Sequence, residues 1–273
     1  MKPIRTLDDL RNATDEEVQA ALEHVTVLPD LERYLEWLSD SETPTIVTTK
    51  LDRRKQRALG IHPSSACKKG VCLLRLYYEC TGEIKPAREY EAEMQRIWDL
   101  GTLLHDTNQV HFENMYEDLF EKEVKLIDKE LHISSHTDGI FSFTPVRIIL
   151  EMKSIKEGGN FGWAKVQDKP FEDNVRQSHF YMAVADVPFA IIFYIAKNTG
   201  KLKEHPIVFD FDLWEEMKTE VVKPVVDAAF NGGPMVEGKP GYDCRWCSFN
   251  YACETARRHR AHVKGSRSRW TAR

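Results

Sequence analysis

A chain of 273 residues, 42% apolar and 30% charged, can bury a sizeable core in one large domain or two small ones. It has no run of about 18 apolar residues, which argues against a membrane span. Six cysteines over this length are too few for a secreted disulfide scaffold and read better as thiols or ligands in a reducing cytoplasm. The net charge of −5 hides a basic tail, residues 257–273, with seven Lys/Arg and no acid. Such a tail is either a phosphate-tracking end or a solvated one.

The opening residues, MKPIRTLDDLRNATDEE, contain no apolar signal core and are too acidic for a transit peptide. TDEE (residues 14–17) is a capping box, and Val18, Ala21, Leu22 and Val25 follow at helical spacing. Leu31, Tyr34, Leu35 and Leu38 repeat the pattern, so two helices are expected. The segment SETPTIVTTK is a linker of turn and strand residues, leading to Pro63, which should open a helix running through CLLRLYYEC. A longer helix is predicted over about residues 88–119. The period then changes: EKEVKLI, LHISSHTDGIFSF and VRIILEMKSI read as three successive strands separated by short turns.

FEDNVRQSHFYMAVA returns to helix, FAIIFYIAK is a buried strand, and HPIVFDF is another. LWEEMKTEVVKPVVDAAF reads as one helix, stopped by NGGP. The fold class is α/β, a mixed core with helical extensions at both ends. Residues 1–60 form a helical N-terminal extension, 61–256 the core domain, and 257–273 the basic tail.

Chemistry concentrates on HTDGIF and ILEMKS. A strand period of two puts Glu151 and Lys153 on one face, and Asp138 can reach that face from the neighbouring strand. Two converging carboxylates make a hard oxygen site for Mg²⁺ or Mn²⁺. A lysine beside them can orient a water and offset developing phosphate charge. E-x-K alone says little, because five such triplets occur, starting at Glu83, Glu123, Glu151, Glu216 and Glu237. Only the one at Glu151 ends an apolar strand and follows a strand carrying Asp-Gly.

GTLLH sets Gly101 and His105 on one helix face, and RQSHFYMA does the same for Gln177 and Tyr181. Glycine permits close backbone approach, and histidine supplies an imidazole ligand. Near the end, DCRWCSFNYACE spaces Cys244, Cys247 and Cys253 as C-x2-C-x5-C, one thiolate short of the four that zinc or an iron–sulfur cluster takes.

The order G-x-x-x-H (Gly101, His105), D-G (Asp138, Gly139), E-x-K (Glu151, Lys153), Q-x-x-x-Y (Gln177, Tyr181) resembles the RecB-like branch of the PD-(D/E)XK nucleases, over roughly residues 60–255. The resemblance implies a restriction-endonuclease-like core. It implies that His105, Asp138, Glu151 and the backbone carbonyl of Met152 bind the divalent metal. Lys153 would be the catalytic lysine, with Gln177 and Tyr181 positioning the lysine or the DNA.

The chain is also similar to the iron–sulfur members of that family, the CRISPR-adaptation Cas-four exonucleases and the AddB nuclease subunit. In these an upstream cysteine joins a downstream C-x2-C-x5-C to hold a [4Fe–4S] cluster that clasps the helices flanking the core. Aligned on Leu76-Tyr77-Tyr78, that cysteine is Cys72; Cys67 is the alternative, and Cys80 reads as a buried thiol. Zinc is the alternative metal.

The implied function is a metal-dependent DNA exonuclease of recombination, repair or processing, acting on DNA with a single-stranded end and leaving 5′-phosphate and 3′-hydroxyl. Implied partners are recombination or CRISPR-adaptation proteins, in a bacterial cytoplasm or that of a phage host. The alternatives are an endonuclease of the same family, or a non-catalytic DNA-binding or recombination-assembly protein on the same fold.

Overall fold

The computed structural model describes residues 3–42, 44–49, 51, 58–87, 92–160, 162–255 and 257. The basic tail beyond Arg257 lies outside the described residues. Two compact units interleave along the chain. The first comprises Met1–Gln56, Glu91–Ile127 and Ser135–Trp214, the second Arg57–Tyr90, Asp128–Ser134 and Glu215–Arg273.

The first unit opens with three helices, α1 (Leu7–Arg11), α2 (Asp15–Leu22) and α3 (Leu28–Ser39). The predicted capping box is present, Thr14 accepting from the Glu17 N–H while Glu17 returns the bond to the Thr14 N–H. A second box, Thr6 with Asp9, caps α1. That helix was not expected: five residues are too few for a period to show, and its box closes with Asp instead of Glu or Gln. The described residues of the linker after α3 carry no regular element.

The long helix α6 (Ala92–Tyr116) leads through a 3₁₀ turn into β1 (Phe120–Asp128), β2 (Ile133–Phe141) and β3 (Ile148–Ile155). Next come α7 (Glu172–Ala185), β4 (Phe189–Ala196) and β5 (Leu202–Val208). The five strands form one mixed sheet in the order β1-β2-β3-β4-β5. The β2/β3 and β4/β5 pairs are antiparallel and β3/β4 is parallel. A parallel pair needs a long crossover, and α7 supplies it.

Strand β4, FAIIFYIA, is buried at every position, as an unbroken apolar run between two partner strands should be. Each large side chain sealed there contributes about 1.5–3 kcal/mol. Pro206, which cannot donate to a ladder, sits in the edge strand β5. Phe112 of α6 meets Phe141 and Phe193 edge-to-face, with ring centroids 5.3 and 5.8 Å apart. The helix is thereby fixed over β2, which carries the D-G motif, and β4, the parallel neighbour of the E-x-K strand β3.

In the second unit the helix expected from Pro63 is two helices, α4 (Pro63–Ala66) and α5 (Leu73–Thr81). Gly70 between them has φ +65°, a conformation that no right-handed helix contains. The single helix expected after β5 is also interrupted. The helix α8 (Phe211–Met217) passes through a π-helical turn, Lys218–Val222, into α9 (Lys223–Phe230). Pro224 lacks an N–H and its ring crowds the carbonyl four residues back, so the chain widens one turn before it. No helix is long and apolar enough to cross a membrane among the described residues.

Candidate active site

The β2/β3 ladder pairs Phe141↔Ile148, Ile140↔Ile149 and Gly139↔Leu150. Continuing that register sets Asp138 opposite Glu151, on the same face of the sheet. At this level a side chain takes the ladder's place. The Met152 N–H donates to Asp138 Oδ2 at 2.5 Å, and Thr137 Oγ1 donates to the Leu150 carbonyl at 2.8 Å. Asp138 therefore both closes the strand pair and carries charge into the site.

Its other oxygen meets His105 Nδ1 of α6 at 3.2 Å. Burial works against the charged form of Asp138. The hydrogen bond and charge of His105, with Lys153 and the Met152 N–H, outweigh it and hold the carboxyl below its usual value. Burial likewise opposes protonation of His105, but the bond to Asp138 prevails and raises the imidazole above 6.5.

Glu151 and Lys153 share the face that the strand period predicted and form an ion pair. The Glu151 side chain is only 3% exposed and that of Lys153 29%. Burial pushes Glu151 up to about 7; Lys153 opposes the rise and the Asp138 charge adds to it. Two opposed buried carboxylates, one with its pKa raised in consequence, are a donor pair whose cost a divalent cation removes. With the His105 imidazole alongside, the donor chemistry fits Mg²⁺ or Mn²⁺. As they stand the donors bond to one another, His105 to Asp138 and Glu151 to Lys153. No three His, Cys, Asp or Glu side chains among the described residues are grouped to hold an ion.

Both glycines of the motifs have tertiary reasons. A Cβ on Gly101 would lie 3.2 Å from Ser154 Oγ, so α6 crosses the end of β3 with little room to spare. A Cβ on Gly139 would fall 2.3 Å from Phe120 Cε2 and 3.2 Å from the Glu121 carbonyl oxygen. Phe120 is 6% exposed and packs on Phe141, so its ring has nowhere to retreat. Gly139→Ala should destabilise the protein by about 1–3 kcal/mol, read as a lower urea midpoint at unchanged slope; an unaltered midpoint would refute the close approach.

Gln177 and Tyr181 are buried on α7, where Gln177 Nε2 donates to Tyr181 Oη at 2.6 Å. One residue escaped the sequence reading. Gln109, one turn beyond His105, donates through Nε2 to the Asp138 carbonyl at 2.8 Å and to Glu123 Oε1 at 3.0 Å. It locks the backbone of the aspartate to the helix that carries the histidine. Its i, i+4 spacing from His105 was the available signal.

The cysteines belong to the second unit, and none of the six is in a disulfide. A cavity of about 70 Å³ is bordered by Cys72, Cys244, Cys247 and Cys253 with Tyr78 and Phe249. Lys68, Lys69, Arg75 and Lys239 also face it. The Lys239 N–H points at Cys72 Sγ, 3.3 Å away. Burial raises the Cys247 thiol, while the Phe249 N–H and Arg75 pull it down. Cys67 is buried at the end of α4, donating to the Ser64 carbonyl at 3.7 Å, and does not border the cavity. Cys80 is fully buried in α5, and desolvation pushes its thiol up to about 12, which leaves it inert.

No protein-family model matches the chain, and no curated protein does. Solved structures do resemble it. One is described as SSO0001, at 14% identity and TM-score 0.45, covering 85% of this chain and 98% of that one. Another is an alkaline exonuclease, LHK-Exo, from Laribacter hongkongensis, at 15% identity and TM-score 0.47, covering 63% of this chain and 89% of that one. LHK-Exo in complex with dAMP matches at 19% identity and TM-score 0.44, covering 60% and 85%.

Proposed function

We propose that the chain is a metal-dependent DNA exonuclease of the RecB-like type, with an iron–sulfur clasp in its second unit. What carries this is the meeting of His105, Asp138, Glu151 and Lys153 across α6, β2 and β3. Those are the residues that the motif order singled out, drawn together from 49 positions of chain.

His105, Asp138, Glu151 and the Met152 carbonyl would hold Mg²⁺ or Mn²⁺. When bound, the cation supplies the positive charge that offsets what develops on the scissile phosphate. His105 must lose its proton to serve as a ligand, so the acid form competes with metal binding. Lys153, released from Glu151, would hold the attacking water by a hydrogen bond and add its own charge beside the phosphate. The water oxygen bonds to phosphorus, the bond from phosphorus to the 3′ oxygen breaks, and that oxygen takes up a proton. The products are a 5′-phosphate and a 3′-hydroxyl. Gln177 and Tyr181 would steady the lysine or the strand from α7.

Cys72, Cys244, Cys247 and Cys253 would hold a [4Fe–4S] cluster. Four thiols around one cavity, an N–H directed at a sulfur and a basic surround suit an anionic cluster. A single zinc ion held by the same four thiolates is the second reading for these residues. In either form the metal ties α5 to the segment after α9.

The test is degradation of end-labelled single- and double-stranded DNA with Mn²⁺, Mg²⁺ or EDTA. Shortening of the label with either cation and none with EDTA is expected. Binding without EDTA-sensitive degradation would make the chain a DNA-binding protein on a nuclease fold, and internal cuts before end loss would make it an endonuclease.

A further inference from the structure

The helix α6 grips Asp138 twice. His105 Nδ1 meets a carboxylate oxygen at 3.2 Å, and Gln109 Nε2 donates to the main-chain carbonyl of the same residue at 2.8 Å. Gln109 is 2% exposed and stands four residues after His105, so both reach β2 from one face of the helix. One contact holds the side chain and the other the backbone that carries it.

The second amide hydrogen of Gln109 goes to Glu123 Oε1 at 3.0 Å. A carbonyl and a carboxylate both accept, so the amide is seated with its nitrogen toward Asp138 and not its oxygen. Glu123 opens one of the other E-x-K triplets and lies inside β1 with φ +51°. A left-handed residue within a strand breaks the alternation of faces and re-aims its side chain. Glutamate gains nothing locally from that conformation; the bond to Gln109 is what the strained backbone makes possible.

Metal ligation by His105 and Asp138 gives up the bond that they now share. The bond from Gln109 is kept, because the Asp138 carbonyl is outside the ligand set. We infer that Gln109, seated by Glu123, is a positioning residue of the metal site, holding α6 on β2 so that His105 and Asp138 stay in reach of one ion. The inference rests on the metal-dependent reading of those two residues. It concerns how firmly they hold the ion and not what is then done to DNA.

Titration of the full chain with Mn²⁺, without DNA, tests this through the electron paramagnetic resonance of the free ion. Gln109→Met keeps the buried volume and removes the donor. It should raise the Kd for Mn²⁺ about 10- to 100-fold, as loss of a group that orients metal ligands does. Glu123→Gly relieves the left-handed backbone, so its melting temperature should not fall, yet Mn²⁺ should bind more weakly. Glu123→Gln keeps an acceptor oxygen and should recover most of the affinity. Asn108→Ala removes a neighbouring buried amide whose bond runs to the Leu104 carbonyl of α6 itself; it should leave the Kd unchanged whatever it does to melting. On DNA, raised Mn²⁺ should restore the cleavage rate lost in Gln109→Met, at unaltered KM.

An unchanged Kd in Gln109→Met, an equal rise in Asn108→Ala, or wild-type affinity in Glu123→Gly would overturn the positioning role. If Gln109→Met weakens Mn²⁺ in a chain that degrades no DNA, the role stands and the nuclease reading falls. If the chain degrades DNA and Gln109→Met binds Mn²⁺ as the wild type does, the reverse holds. A wild type that binds no Mn²⁺ overturns both.

Discussion

Asp138→Asn should cut DNA at least about a thousandfold more slowly than the wild type, a barrier increase of about 4 kcal/mol, and still fold. Asparagine is the informative change because Asp138 has two duties. One oxygen accepts the Met152 N–H where the β2/β3 ladder has given way, and the amide oxygen of asparagine can continue to do so. The negative charge that pairs with His105 is lost. Alanine would remove both, leaving the Met152 N–H without its acceptor at a cost of about 1–3 kcal/mol, so lost activity in Asp138→Ala would mix chemistry with strain.

Lys153→Ala should be as inactive. It strips the buried Glu151 of its ion-pair partner, and Glu151 then holds its proton more firmly still. Matched melting curves for Asp138→Asn and wild type, with product release followed on end-labelled DNA, separate the two contributions. Full activity in both Asp138→Asn and Lys153→Ala would remove the site from these residues.

The second large effect is expected at the cysteines. Anaerobically purified protein should be brown and contain iron; Cys72→Ser should be colourless and Cys67→Ser should keep its colour. The distinction follows from position, since Cys72 borders the cavity with Cys244, Cys247 and Cys253 while Cys67 bonds to its own helix. A metal bridge from Cys72 to Cys244 closes a loop of about 170 residues, worth about 5 kcal/mol on the loop-entropy scale used for cross-links. Cys72→Ser should therefore lower the melting temperature by on the order of 10 °C. Colourless wild type with one zinc per chain would keep the clasp and discard the cluster; colour lost from Cys67→Ser but not from Cys72→Ser would overturn the assignment of the upstream ligand.

The two predictions differ in how much the sequence supplied. Glu151 and Lys153 could be read directly, because a strand announces itself through an apolar run and its period of two settles which residues share a face. β4 and the Thr14–Glu17 box were legible for the same reason: local pattern and local bonding coincide. Cys72 over Cys67 was a weaker inference, since they stand only five positions apart and no local rule says which thiol faces a segment far along the chain. The break at Gly70 sets them apart, making Cys72 the residue before α5 while Cys67 closes α4.

Other features were beyond any local reading. The Asp-Gly of β2 looked like a motif, but the reason for its glycine is the ring of Phe120, on the neighbouring strand. Gln109 became part of the site only because α6 lies where its amide meets the Asp138 carbonyl.

By itself, then, the sequence determined the strands and most of the helices, the faces their residues share and the identity of the ionisable groups, because these follow from bonding and periodicity within a few residues. The tertiary structure decided which groups meet and which are desolvated. Those depend on register, crossing and burial between segments tens to hundreds of residues apart, and the free energies involved belong to the contacts and not to any one segment.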